Sequence, residues 1–265
     1  MIPAVTSELR KFFTTRLWWG MAIAIFLAAA LFSFLFAIVY TLDSTGDPQM
    51  GAMYGDATRV ANSVYSAGLS IGYSLLLTIG VMQIGSEYRH KTITSTFLST
   101  PRRGKAMLAK VVALMVIGVI YGVISLAGSV SVGAITLVAR GQEAFPSPEI
   151  ARTLALSLLV LGLWALIGLG LGILIPNQVA ALIIGMGVVW IIEPLASFAL
   201  GFWEFGREYI APYLPGQATN SIVQGVTTAP DQVQLQWWVA ALTLAGWAAL
   251  LSGIGILRAT RQDVS

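Results

Sequence analysis

The chain has 265 residues, of which 57% are hydrophobic and only 10% charged, with a mean hydropathy of +0.80. A soluble domain carries about 25% charge, and here the few charges sit in short stretches between long uncharged runs, so composition argues against a water-soluble globular fold. There is no cysteine, which removes disulfide frameworks, thiolate metal sites and cysteine nucleophiles.

Residues Met1–Arg16 are too polar to span a bilayer. Ile2, Val5, Leu9, Phe12 and Phe13 recur at helical spacing, with Glu8, Arg10, Lys11, Thr14 and Thr15 on the other side. This pattern predicts an amphipathic helix lying in the membrane surface, with a frayed polar terminus as the alternative. Trp18 and Trp19 mark the interface where the chain turns inward. The apolar stretch that follows exceeds the about 7–15 residues of a signal-peptide core, which favours an uncleaved first span.

Six apolar runs follow, each long enough to cross. They are Leu17–Leu42, Val64–Ile84, Met107–Val138, Ile150–Ile175, Val179–Ala199 and Trp237–Leu257. The expected fold is therefore all-α: a single polytopic transmembrane domain over 1–265, preceded by an interfacial helix over 1–16. The third run is long enough to tilt or protrude. Only Pro176, Asn177 and Gln178 separate the fourth and fifth, predicting a tight helical hairpin. The connection 201–236 carries Phe202, Trp203, Phe205, Tyr209 and Tyr213, a density that suits short helices at or dipping into the interface.

Basic residues set the expected orientation. Arg10, Lys11, Arg16, Arg89, Lys91, Arg102, Arg103, Lys105, Lys110, Arg258 and Arg261 fall on one side, leaving four of the 15 on the other. Both termini are thus expected in the cytoplasm of a multi-pass cell-membrane protein. The net charge of +3 reflects this topology and not a nucleic-acid partner.

Chemistry-bearing motifs are sparse. No G-x-x-x-x-G-K-[ST] sequence occurs, so nothing cradles nucleotide phosphates; any ATP must be bound by a separate polypeptide. Gly68-Leu69-Ser70-Ile71-Gly72 formally matches a serine-hydrolase elbow but lies inside a span, far from His90, the single histidine. It reads as helix packing, as do Gly118/Gly122 and Gly168/Gly172. His90 alone makes no metal site. Glu193, just before Pro194, is a candidate intramembrane polar site, or else marks the outer end of the fifth span.

The densest signal is the stretch 85–110. Ile93 and Phe97 lie one helical turn apart among polar and basic groups, and Pro101 precedes Arg102 and Arg103. A short amphipathic helix at the foot of two spans offers a knob for another protein to push. At this segment the chain resembles the type-two, exporter-like class of ABC transporter permeases. Glu87, Thr92, Thr94, Leu98, Pro101, Arg103 and Lys110 fit that class's pattern, as do the six-span layout and Pro215-Gly216 in the last long connection. The resemblance implies a permease half that binds no cofactor itself and works with a nucleotide-binding ATPase subunit carrying ATP and a second permease copy, the same chain or a related one. It implies coupling through Glu87, Ile93, Phe97, Arg102 and Arg103, and efflux of a lipophilic or amphipathic substrate. An ion-driven carrier using Glu193 and a non-transporting membrane anchor are the competing readings.

Overall fold

The computed structural model describes residues 1–42, 56–90, 103–223 and 233–261. Among them every regular element is helical. The reason is solvation: with no water in the hydrocarbon core, each backbone N–H and C=O must be satisfied within its own segment.

Helix α1 (Ile2–Phe13) precedes α2 (Leu17–Leu42), which at 26 residues is about 39 Å long and exceeds the roughly 30 Å core. The second span starts earlier than its apolar run suggests. It consists of α3 (Ala57–Ser66), capped by the Asp56 carboxylate on the Arg59 N–H at 2.9 Å, and α4 (Leu69–Arg89). The two halves meet at Gly68, where a side chain would collide with the backbone of Ala29 in α2. Helix α5 (Arg103–Ala139) has 37 residues, about 55 Å, so part of it stands clear of the core. A turn follows it at Gly141, whose φ of +77° only glycine adopts without strain.

Helix α6 (Glu149–Leu174) is the hub of the bundle, packed against α4, α5 and the last span, α11 (Trp237–Arg261). Small residues allow the close approaches. Gly118 of α5 lies on the backbone of Gly162 in α6, and Gly168 of α6 on the backbone of Leu77 in α4. The glycine spacings noted in the sequence are therefore used up inside this chain and present no free small-residue face to a second copy.

The fifth span is continuous but not uniform: α7 (Gln178–Gly187), a π-helical turn (Val188–Ile192) and α8 (Glu193–Gly201). Pro194 does not break this span. Instead the turn before it widens, because proline supplies no N–H to the preceding turn, and the helix runs on. Asn177 caps α7 through the N–H groups of Val179 and Ala180. Beyond it come α9 (Glu204–Tyr209), a 3-10 turn (Ala211–Tyr213) and α10 (Pro215–Val223). The α10 helix folds back onto the bundle, where the Trp164 indole N–H from the middle of α6 donates to the Thr219 hydroxyl at 3.0 Å.

Among the described residues six helical segments are long and apolar enough to cross a membrane. The chain is an all-α, multi-pass membrane protein.

Candidate functional site

A lysine near the start of a long apolar helix must find a counter-charge or carry a heavy desolvation cost. Lys110 of α5 is 1% exposed and finds two. Its ammonium lies 2.6 Å from Glu8 Oε2 on α1 and 2.7 Å from Glu87 Oε1 on α4. Lys11, one turn along α1, closes the ring at 2.7 Å from Glu8 Oε1 and 2.8 Å from Glu87 Oε1. The Gln83 side-chain amide adds donation to Glu8 Oε2 at 3.3 Å and to the Glu8 carbonyl at 3.4 Å. Two carboxylates and two ammoniums thus form a formally neutral cluster joining three helices at the basic end of the bundle. Apolar packing surrounds it: Phe12 is buried edge-on to Tyr121 of α5, whose hydroxyl donates to the Trp18 carbonyl at 2.6 Å.

Electrostatics follow from this geometry. Burial by itself pushes the Glu8 carboxyl up, but Lys110 and Lys11 outweigh it and hold the group below its ordinary value. Burial likewise pulls the Lys11 ammonium down, and the hydrogen bonds and charges of Glu8 and Glu87 reverse that, leaving it raised. Both charged forms are favoured in the fold. The cluster is a structural tie, joining α1, α4 and α5 through four short ion pairs.

This arrangement corrects the sequence expectation for α1. Glu8 is not on a water-facing side of α1; it is 5% exposed and turned inward, because Lys110 requires it. Glu87, which the resemblance assigns to coupling, is also 5% exposed and pairs with Lys11 and Lys110 within the chain. Nor does α1 rest on the membrane by its apolar side alone: Ile2 is exposed while Glu8 and Phe12 are buried against the bundle. Of the other residues assigned to coupling, Ile93, Phe97 and Arg102 lie outside the described residues, and Arg103 opens α5. His90 ends α4 and is exposed. The cluster nevertheless bears on that segment, for Glu87 and Lys110 tie together the two helix ends from which residues 91–102 extend.

Glu193 occupies a different site. Half-buried at the start of α8, its carboxylate accepts from the backbone N–H groups of Gly216 and Gln217 in the first turn of α10. A negative group at the positive end of a helix is a cap. Nearby, Gln217 donates to the Ser197 hydroxyl at 2.9 Å, and the Trp190 indole donates to Ser74 at 3.0 Å. Tyr73 stacks on Trp164 with centroids 4.4 Å apart. Together these contacts fasten the fifth span and α10 to α4 and α6.

Among the described residues no group of three or more His, Asp or Glu side chains is placed to hold a metal. The chain matches no protein-family model and no curated protein sequence.

Proposed function

We propose that this protein is the membrane-spanning permease subunit of an ATP-driven transporter of the type-two, exporter-like ABC class. A separate ATPase subunit would bind ATP, and a second permease copy would complete the translocation path. The observation that carries the reading is the buried Glu8–Lys11–Glu87–Lys110 ring. A segment that receives force from a partner must be rooted in something stiff, and the ring joins α1 to both helix ends flanking residues 91–102. The sequence layout supports the same reading, with six spans, no nucleotide-binding motif and a basic segment between spans two and three.

In this mechanism the ATPase biases a two-state permease pair by binding nucleotide more tightly in one state. Displacement of the 91–102 segment then moves α1, α4 and α5 together, and α6 relays it through its glycine contacts to α11. The carrier alternative is weakened because the Glu193 carboxylate is engaged in capping α10 and is not held free for an ion. Exposed apolar residues on the outer faces of α2, α7 and α11, such as Leu31, Ile183 and Leu242, suit lipid or the second copy.

Affinity purification of the tagged chain from native membranes in mild detergent tests the reading. An ATPase bearing a phosphate-binding loop should co-purify in equal amount, in a two-plus-two complex. A chain recovered without any ATPase, whose flux follows an ion gradient, would overturn it.

A further inference from the structure

Among the described residues the basic end of the bundle holds two acids, Glu8 and Glu87, and the ring neutralises both. Residues 91–102, between α4 and α5, add no Asp or Glu. Arg10, Arg16, Arg89 and Lys105 are exposed and make no ion pair among the described residues. Four exposed positive charges therefore stand uncompensated at this end, and a surface of one sign selects a partner of the other. Beside the ring lies a cavity of about 650 Å³, between α1, the start of α2 and the basic end of α4. Phe12, Leu17, Ile79 and Met82 give it an apolar wall, and its polar lining includes Lys11 and His90. The Lys11 side chain is 44% exposed, and its ammonium uses two of its three N–H donors on Glu8 and Glu87.

The depth of this cavity narrows the choice of partner. Leu17 begins the first span, and the exposed Trp18 and Trp19 that follow it are of the type that settles at the headgroup level. The cavity thus lies where hydrocarbon gives way to headgroups, with an apolar wall and positive charge around it. We propose that it binds an anionic phospholipid from the leaflet at the basic end. One acyl chain lies along Phe12, Ile79 and Met82, and the phosphate sits beside Lys11 and His90 in the field of Arg10, Arg16 and Arg89. The remaining Lys11 N–H donates to a phosphate oxygen, a charge-assisted bond. A choline headgroup is disfavoured, because its cation enters a field that is already positive. An acidic protein surface would match the charges but leave the hydrocarbon wall unfilled. The site does not depend on whether the chain works with an ATPase.

The test equilibrates the purified, delipidated full chain in mixed micelles with equimolar phosphatidylglycerol and phosphatidylcholine, then quantifies the retained lipid by mass spectrometry. Phosphatidylglycerol should be retained about tenfold or more over phosphatidylcholine, as several basic residues near one anionic headgroup imply. High salt during equilibration should cut that preference several-fold. So should Arg16→Gln with Arg89→Gln, two exposed residues outside the ring whose loss leaves the fold intact. Thr15→Trp, which fills the cavity from an exposed lining position, should abolish the preference at an unchanged melting temperature. If Thr15→Trp fails to fold, the wild-type chain and the double arginine variant still decide. Equal retention of the two lipids, or a preference that survives Thr15→Trp, would overturn the proposal. Displacement of the lipid by an equal concentration of inorganic phosphate would overturn the membrane lipid as the occupant. A double arginine variant that keeps the lipid preference but loses a co-purifying protein would assign the surface to an acidic protein instead.

Discussion

Lys110 shows how a single residue organises this protein. Removing one partner from a buried ion pair leaves an uncompensated charge and costs about 3–5 kcal/mol. Lys110→Met leaves two buried carboxylates against Lys11 alone and should lower the melting temperature sharply in detergent. Adding Glu8→Met restores a neutral Lys11–Glu87 pair and should recover most of the loss, a coupling that a double-mutant cycle measures directly. Additive losses would mean that the ring is incidental to stability. The pH dependence has a definite sign. Because the Glu8 carboxyl is held down, its contribution is present above its ordinary value of 4.5 and disappears as pH falls through its lowered folded value. Because Lys11 is raised, its contribution is complete below 10.5 and is lost as pH rises beyond that toward its folded value. The difference in melting temperature between wild type and Glu8→Gln should therefore be flat from about pH 5 to 10 and shrink on acidification. A difference that grows toward acid would refute the assignment. Little of this was legible in the sequence. Helical spacing places Glu8 among polar neighbours, and a partner 102 residues away leaves no mark on local periodicity. The available signal was Lys110 itself, the one charge within the apolar run Met107–Val138.

At the scale of elements, the spans were readable because each is a bilayer-length apolar run with at most one charge, and that requirement is local. Their internal breaks were not. The π-helical turn at Val188–Ile192 is made of aliphatic residues and tryptophan that carry no such signal, and its cause is Pro194 downstream. What the turn accomplishes is to present Glu193 to α10. Glu193→Ala should cost about 1 kcal/mol, as loss of a helix cap does, and increase hydrogen exchange in α10 while leaving α1 unchanged. Glu193→Gln keeps an acceptor and should be milder, with expression and transport close to wild type. Complete loss of transport by the glutamine variant at normal expression would revive the ion-carrier reading. The glycine contacts make a contrasting prediction. Gly168→Leu forces a side chain into the backbone of Leu77 and should prevent the α4–α6 contact, giving a chain that inserts but does not survive purification.

At the scale of the whole molecule, composition dictated the class of fold, while the wrapping of α1 and α10 onto the bundle came only from contacts between distant parts of the chain. Orientation is directly testable because the protein has no cysteine. Single cysteines at Gly104, which has open space around it, and at exposed Glu143 should respond oppositely to an impermeant maleimide on intact cells. Glu143→Cys should label and Gly104→Cys should not; the reverse would invert the topology.

In the proposed mechanism an ATPase acts through the basic end of the bundle. ATP hydrolysis in reconstituted vesicles, by the co-purifying ATPase alone, with the wild-type chain, and with chains bearing Phe97→Ala or Lys110→Met plus Glu8→Met, tests it most directly. The wild-type chain should change the hydrolysis rate several-fold. Phe97→Ala should abolish that change with insertion intact, and the double variant should blunt it by loosening α1 from α4 and α5. A hydrolysis rate that is the same with the wild-type chain, with either variant and with no chain at all would contradict it.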